Sequence, residues 1–314
     1  MNFDDKDQLI LFELLQDCRK PLSNIGKAVN LPKQTVAYRI KKLEEAKIIR
    51  KYTANINYPK LGFSRHSIYL NVDGVSSKEV NEYLTDITSI EEVSCCYMLH
   101  ELSQWKLYVS VWTKTIERYD EIQTKILTKF KEKIKNYLSF QSVRSWTYLA
   151  RRLNVKKKSQ EDIKENPEHI TLSKQDWNLI QELKKDSKQP IMHYAKKLRC
   201  NAVTITRKIT SLKKKGIIQR LYPILDMNKL GYREYTYISR IDLSYSKELQ
   251  EFIEYARKDP RFIIIIKAVG YVNLYYAFLA KDKEEFKEIN HSIEKILGKA
   301  ILENYKIEVD EMIS

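Results

Sequence analysis

Apolar residues near the start of the chain recur every three or four positions, which is the period of a helix. This spacing predicts three successive helices, in the stretches DKDQLILFELLQ, LSNIGKAVN and LPKQTVAYRIKKLEEA. The third helix directs an apolar stripe inward, formed by Val36, Ile40 and Leu43. The next stretch, IIRKYTANIN, alternates between apolar and polar residues and predicts a short hairpin. Three helices and a hairpin predict a winged helix-turn-helix domain over residues 1–60.

After this domain, strand-like stretches alternate with amphipathic helices. Their order over residues 61–148 is β-α-β-β-α-β, which predicts a ferredoxin-like sheet with two helices on one face. Residues 149–171 are polar and charged and predict an exposed linker. Both patterns then return, with a winged helix-turn-helix over 172–231 and a ferredoxin-like domain over 232–314. The predicted fold class is therefore α+β, with two such pairs of domains.

The first sixty or so residues are repeated farther along the chain without an insertion. Eight residues have an identical partner at a constant shift of 169 positions: Asp7/Asp176, Pro21/Pro190, Thr35/Thr204, Ile40/Ile209, Leu43/Leu212, Ile48/Ile217, Leu61/Leu230 and Gly62/Gly231. The inward stripe of the third helix persists in the second copy as Ile205, Ile209 and Leu212. We infer a tandem duplication.

The net charge of +15 is unevenly distributed along the chain. Residues 1–60 carry +5 and residues 172–231 carry +10, and the linker at 149–171 adds +2. The two sheet-forming segments, 61–148 and 232–314, carry 0 and −2. Positive charge confined to groove-sized helical domains favours binding of double-stranded DNA through its phosphates. We expect the near-neutral sheets to hold the two cationic domains apart.

The outward side chains of the third helix and the residues that follow it are the candidate DNA contacts of each copy. In the first copy they are Lys33, Gln34, Thr35, Tyr38, Arg39, Lys41, Lys42, Arg50 and Lys51. In the second copy they are Asn201, Val203, Thr204, Thr206, Arg207, Lys208, Lys213, Lys214 and Arg220. Glutamine can pair with adenine and a threonine methyl suits thymine, whereas Arg and Lys suit phosphates. Because these outward residues differ, we expect an asymmetric site, or one copy that reads the sequence and one that grips the backbone.

The motifs LLQDCRKP, TVAYRIKKLE and LGF resemble those of the Lrp/AsnC (feast/famine) transcription regulators. Thr35, Val36, Arg39 and Leu43 match the characteristic positions of that family's recognition helix. The resemblance implies a regulator that self-associates through its ferredoxin-like (RAM-type) domains and binds a small-molecule effector such as an amino acid. Fusion of two copies would make an intramolecular pseudo-dimer.

Departures from the family pattern concern the effector site most. The family commonly has a Gly-x-x-Asp turn in the sensing domain. The second copy has GYVN, so that Gly270 and Asn273 are the candidate effector residues, and the first copy has HELSQW without a glycine. In the helix-turn-helix, Lys47 replaces the usual glycine, which Gly216 keeps in the second copy.

Other function classes have weaker support in the sequence. The four cysteines form no metal-ligand pattern, no catalytic motif is present, and we expect no cofactor, no metal site and no enzyme activity. The apolar stretch FIIIIKAVGYVNLYYAFLA contains Lys267 and predicts a hairpin of two strands rather than a membrane span, so we expect a cytoplasmic protein. The alternative is a siroheme-decarboxylase-like tetrapyrrole enzyme, a class that resembles the same regulators. His66 and His100 are the nearby histidines of the first copy.

Overall fold

A computed structural model describes residues 3–75, 77–99, 103–148, 151, 153 and 169–307. The described helices are α1 Asp5–Gln16, α2 Leu22–Val29, α3 Lys33–Glu45, α4 Ser77–Thr88, α5 Ile116–Phe130, α6 Lys174–Lys185, α7 Ile191–Lys197, α8 Ala202–Lys214, α9 Ser246–Lys258 and α10 Lys283–Leu297. The described strands are β1 Ile49–Ile56, β2 Ser64–Val72, β3 Val93–Met98, β4 Leu107–Thr113, β5 Ile134–Thr147, β6 Ile218–Leu225, β7 Arg233–Ile241, β8 Phe262–Gly270, β9 Leu274–Ala280 and β10 Ile301–Ile307.

The chain folds into two compact units, and each contains segments from both halves of the sequence. The helical unit comprises residues 1–61 and 148–232, and the sheet unit comprises residues 62–147 and 233–314. Most of the predicted linker at 149–171 lies outside the described residues. Within the described ranges, no helix combines the length and the apolar character that a membrane span requires.

The helical unit contains two three-helix heads, which we name the first head (α1–α3 with β1) and the second head (α6–α8 with β6). Each begins with a capped helix, since the side chain of Asp4 accepts a hydrogen bond from the Asp7 amide at 3.0 Å and Ser173 does the same for Asp176 at 3.1 Å. The predicted inward stripes are confirmed by burial of the following residues: Val36, Ile40 and Leu43 in α3, and Ile205, Ile209 and Leu212 in α8.

The predicted wing hairpin is wrong. Ile49–Ile56 forms a single strand, and it pairs antiparallel with β6, Ile218–Leu225, to make a two-stranded ribbon between the heads. The prediction failed because the alternation of apolar residues identifies a strand but not its partner. The expectation that the heads are held apart is also wrong, since β1 and β6 join them within one unit.

Contacts between the two heads come in reciprocal pairs. The amide of Cys18 donates to the carbonyl of Leu221 at 2.7 Å, and the equivalent amide of Ser187 donates to Tyr52 at 3.2 Å. The side chains of Cys18 and Ser187, which are themselves 169 positions apart, meet at 3.3 Å. In the ribbon, Thr53 lies opposite Tyr222. An interface in which equivalent residues exchange the same contacts has the form of a two-fold symmetric one.

Two further exchanges follow the same rule. Lys60 Nζ donates to the carbonyl of Lys215 at 3.1 Å, and Lys229 Nζ donates to the carbonyl of Ala46 at 2.7 Å. The helices exchange partners too, because α1 packs on β6 and α6 packs on β1. Each head therefore completes its core with a strand from the other.

The sheet unit contains one eight-stranded sheet in the order β10-β7-β9-β8-β5-β2-β4-β3. Each half has the ferredoxin-like order, and β8 and β9 form the antiparallel pair expected for the apolar stretch that contains Lys267. In the first half, alternate residues such as Ile68 and Leu70 pack against α4 and α5. The opposite, helix-free face carries a second core to which both halves contribute, including Tyr69 and Ile238.

Candidate nucleic-acid interface

The outward faces of α3 and α8 are exposed as predicted, but they carry different side chains. In α3, Gln34 is exposed and the side chain of Tyr38 is 62% exposed. In α8, Val203 is 58% exposed, and Thr206 and Arg207 are exposed beside it. The two threonines at equivalent positions of the heads, Thr35 and Thr204, are half-buried. At these positions α3 therefore exposes an amide and an aromatic ring, whereas α8 exposes an aliphatic side chain, a hydroxyl and a guanidinium.

Arg39 and Lys208, which were predicted to contact phosphates, bind carboxylates of their own heads. Arg39 Nη1 lies 2.9 Å from Asp4 and 2.9 Å from Asp7, whose side chain is fully buried. At the equivalent place in the second head, Lys208 Nζ lies 2.7 Å from Asp176. Both cations thus fasten the third helix to the first, and neither is free for DNA in this arrangement.

Other predicted contacts are also occupied within the helical unit. Lys42 lies 2.9 Å from Glu45 and Lys41 lies 3.8 Å from it, on the solvent-exposed side of α3. Exposed pairs of this kind exchange readily with other partners, so both lysines stay accessible to a phosphate. Two other cations form ion pairs within the helical unit: Arg50 with Asp226 at 2.7 Å, and Lys213 with Asp17 at 2.6 Å.

Two residues of the second head have structural roles that sequence did not indicate. The side chain of Asn201 caps α8 by accepting a hydrogen bond from the Thr204 amide at 2.7 Å. Arg220 is only 3% exposed in β6. Its prediction as a DNA contact is wrong in this arrangement, because a phosphate cannot reach a buried guanidinium. Its counterpart Lys51 is half-buried.

The exposed cations that form no ion pair with a carboxylate of the described ranges are unequally divided between the heads. In the first head they are Lys27, Lys33 and Lys47, and in the second head they are Lys174, Lys196, Arg199, Arg207, Lys214 and Lys215. We name the second set the cationic surface of the second head. Free, exposed cations are the groups that can neutralise phosphates without first breaking an internal contact.

Part of this surface is a shallow pocket of about 330 Å³ between α6 and the α7–α8 turn. Lys174 and Arg199 of this surface line it, together with Gln175 and Asn178. Lys197 also lines it and pairs with Glu182 at 2.6 Å. These residues were not predicted because they lie outside the recognition helix, although the high net charge of residues 172–231 indicated a cationic surface. The first head has Asp5, Ala28 and Asn30 at the positions equivalent to the three cations, so it has no matching basic pocket.

The paired carboxylates of the heads are held in their charged form. Burial alone would raise the pKa of Asp176, but hydrogen bonds from Lys208 and Ser173 outweigh it and lower the pKa. Burial would likewise raise the pKa of Asp226, but hydrogen bonds from Arg50 and from the Lys229 amide outweigh it and lower the pKa. These internal ion pairs are therefore intact at neutral pH.

The candidate effector residues have structural roles in the sheet unit. Asn273 donates to the carbonyl of Ile241 at 2.7 Å and accepts from its amide at 2.8 Å, so its side-chain amide is engaged by the backbone. Gly270 has a φ of +140°, and a Cβ there would lie 2.9 Å from the carbonyl oxygen of Ser139. Their effector role stays a prediction. Among the described residues, no cluster of three or more His, Cys, Asp or Glu could hold a metal ion.

Comparison with known proteins places the first head in a defined class. The model of the AsnC-type helix-turn-helix domain matches residues 3–44. An uncharacterized HTH-type transcriptional regulator of Pyrococcus furiosus is 30% identical over 132 residues, which span 41% of this chain and 85% of that protein. The chain belongs to the Lrp/AsnC family. A second relative of this Lrp/AsnC protein, the HTH-type transcriptional regulator LrpA of Pyrococcus horikoshii, is 35% identical over 95 residues, which span 29% of this chain and 64% of LrpA.

A solved structure also resembles this Lrp/AsnC protein over almost its whole length. The crystal structure of the siroheme decarboxylase NirDL matches with a TM-score of 0.59, covering 99% of this chain and 95% of that one. The sequence identity is 16%, so the likeness shows the fold alone. The α+β fold with helix-turn-helix and ferredoxin-like parts is confirmed.

Proposed function

We propose that this chain is a cytoplasmic DNA-binding transcription regulator whose two heads, products of a tandem duplication, act as one intramolecular pseudo-dimer on double-stranded DNA. The observation that carries the proposal is the reciprocal junction between the heads. Cys18 meets Ser187, and the Cys18 and Ser187 amides make the same hydrogen bond in opposite directions. A junction of this form fixes α3 and α8 relative to each other, as a dimer interface does for two recognition helices.

The charge distribution supports DNA as the partner. The sequence segments that form the helical unit carry +17, and those that form the sheet unit carry −2. A charge needed only for solubility would be shared by both units. Excess cations on the unit that presents two recognition helices favour a polyanion that enters through those helices.

The two heads contribute unequally in this proposal. The second head supplies most of the affinity, since its free cations include Arg207 and Lys214 on α8 and Lys174 and Arg199 around the pocket. The first head supplies most of the sequence preference, because α3 presents Gln34 and Tyr38, which can contact base edges.

Salt-dependent binding tests the proposed function. Fluorescence anisotropy of a labelled random-sequence duplex should report binding of the full chain whose log affinity falls linearly with log salt, with a slope of about −4 or steeper for five or more phosphate contacts. A protein that does not retain duplex DNA at low salt, or that retains it with no salt dependence, contradicts the proposal. Bovine serum albumin at the same concentration serves as the control for non-specific retention.

The tetrapyrrole-enzyme alternative finds no exposed histidine among the described residues of the first sheet half. His66 is 2% exposed and its ring stacks on Tyr119 at 3.9 Å, and burial lowers its pKa to about 4. His100 lies outside the described residues. An absorbance titration with an iron porphyrin distinguishes the two functions, since one-to-one binding with a shifted Soret band would favour the enzyme.

A further inference from the structure

The helix-free face of the first sheet half carries a polar cluster inside an otherwise apolar core. Ser67 lies opposite Ser110 in the β2–β4 register, and Tyr69 lies opposite Tyr108. Because side chains alternate along a strand, Arg65 shares this face with Ser67 and Tyr69. We name Arg65, Ser67, Tyr108 and Ser110 the Arg65 cluster.

Within the described residues, Arg65 has hydroxyl partners but no carboxylate partner. Its Nη2 donates to the Tyr108 hydroxyl at 2.8 Å and its Nε donates to Ser110 Oγ at 3.3 Å. The guanidinium forms no ion pair with an acidic side chain of the described ranges. A guanidinium has five N–H donors, so three remain for a ligand. Arg65 is partly buried, and a partly buried cation without a counter-ion is costly unless an anion compensates it.

Aromatic rings surround the cluster. The Tyr108 ring lies 4.8 Å from Tyr69 and 5.0 Å from Tyr97, measured between ring centroids. Tyr275 of the second half packs on the same core. The other titratable groups that act electrostatically on Tyr97 and Tyr275 are Cys95 on β3 and Glu234 on β7. Glu234 is exposed and forms no ion pair with Arg65 in the described structure.

We propose that the Arg65 cluster binds a small aromatic monocarboxylate, with Arg65 as the anchor of the carboxylate. A planar guanidinium with free parallel N–H groups matches a carboxylate, which can accept two hydrogen bonds at once. The tyrosine rings suit an aromatic body that stacks or meets them edge to face. Both halves of the sheet contribute to the core around the cluster, so a bound ligand would contact both.

Isothermal titration calorimetry of the full chain with 3-phenylpropionate tests this site without DNA, so its outcome is separate from that of the proposed function. The acid should bind at millimolar concentration in a one-to-one ratio, and the neutral 3-phenylpropionamide and inorganic phosphate should bind at least about tenfold more weakly, since a charged hydrogen bond is lost or the apolar contact is missing. Equal binding of the amide or of phosphate overturns the assignment, as does no detectable binding of the acid.

Two variants separate a ligand site from a structural arginine. Arg65→Gln should bind 3-phenylpropionate about tenfold or more weakly, because the charged hydrogen bond to the carboxylate is lost. Its midpoint of thermal unfolding should stay the same or rise, because the substitution removes an uncompensated cation. A lowered midpoint for Arg65→Gln with unchanged acid binding would assign Arg65 a structural role and overturn the proposal. Lys287→Gln, an exposed cation on α10, is the matched control and should change neither quantity.

Discussion

The two heads share a scaffold but differ in surface. Their helices, inward stripes and strand exchange follow the same plan, and the contacts of Cys18 and Ser187 repeat in both directions. Their outward positions do not match, since Tyr38 of α3 corresponds to Arg207 of α8 and Glu45 corresponds to Lys214. A junction built largely from backbone hydrogen bonds therefore fixes the geometry of the two heads and leaves their exposed side chains free to differ.

The heads also differ in the cations that are bound to carboxylates and so are not available to DNA. Arg39 and Lys208 are equivalent and both brace the third helix, yet Asp7 is fully buried whereas the side chain of Asp176 is 22% exposed. The brace of the first head is therefore the more deeply buried of the two. Stability and DNA affinity should accordingly respond to different residues in the two heads.

The largest effect is expected from giving the second head the outward residues of the first. The variant Lys174→Asp/Arg199→Asn/Arg207→Tyr/Lys214→Glu removes four free cations at positions where the first head has none. The salt slope of duplex binding should fall in magnitude by about 3 to 4, and affinity at about 50 mM salt should fall about 10³-fold. Asparagine suits position 199, where φ is +52°.

The reverse exchange is the control for that variant. Tyr38→Arg/Glu45→Lys adds cations to α3 and should strengthen binding to all duplexes while weakening the preference for any one sequence. Anisotropy titrations from about 50 to 200 mM salt measure both variants. An unchanged salt slope in the second-head variant would contradict the proposal that the second head makes most of the phosphate contacts.

The next effect concerns the two braces. Arg39→Ala leaves the buried carboxylate of Asp7 without its cation and should lower the free energy of unfolding by about 2–4 kcal/mol. Lys208→Ala leaves the more exposed Asp176 and should cost about 1 kcal/mol or less. Urea unfolding followed by circular dichroism measures both. If the costs were equal, or if either variant weakened DNA binding without loss of stability, the bracing role would be wrong.

An effect of similar size but opposite sign is expected from locking the junction. Ser187→Cys places a second thiol where Ser187 Oγ now lies 3.3 Å from the sulfur of Cys18. Burial raises the pKa of the Cys18 thiol to about 11, so an added oxidant is needed to form the disulfide. The oxidised protein should be about 2–4 kcal/mol more stable than the reduced one and should bind DNA with the same affinity. Loss of binding on oxidation would show that the heads must separate.

The smallest effect is a dependence on acid. The folded-state pKa of Asp4, Asp176 and Asp226 is lowered, so each contributes stability above its unfolded pKa near 4 and loses it as pH falls through the folded value. Thermal midpoints should therefore be level from about pH 5 to 7 and decline below about pH 4. Lys208→Gln should flatten that decline. An unchanged decline in this variant would show that the Lys208–Asp176 ion pair does not cause it.

Local periodicity was sufficient to predict the helices and their buried sides. Val36, Ile40 and Leu43 recur at helical spacing, and their burial follows from that spacing alone. The exposed face of each recognition helix follows by exclusion. The constant shift of 169 positions also anticipated which residues would be equivalent in the two heads.

Properties that depend on distant partners could not be predicted in the same way. The strand at Ile49–Ile56 pairs with Ile218–Leu225, and neither sequence indicates the other as its partner. Arg39 was assigned to phosphate because its position on α3 is outward, but packing of α1 against α3 brings Asp4 and Asp7 to it. Arg65 was not predicted because the helix-free face of the sheet becomes an interior only when both halves assemble.

Selection of bound duplexes from a random-sequence pool, followed by footprinting on the selected site, tests most directly whether the heads share DNA unequally. We expect one half-site with a defined sequence beside a protected half with no sequence preference. In Gln34→Ala, discrimination between bases should fall by about 1–3 kcal/mol at a single position of the defined half-site. An inverted repeat with equal preference in both halves would contradict it.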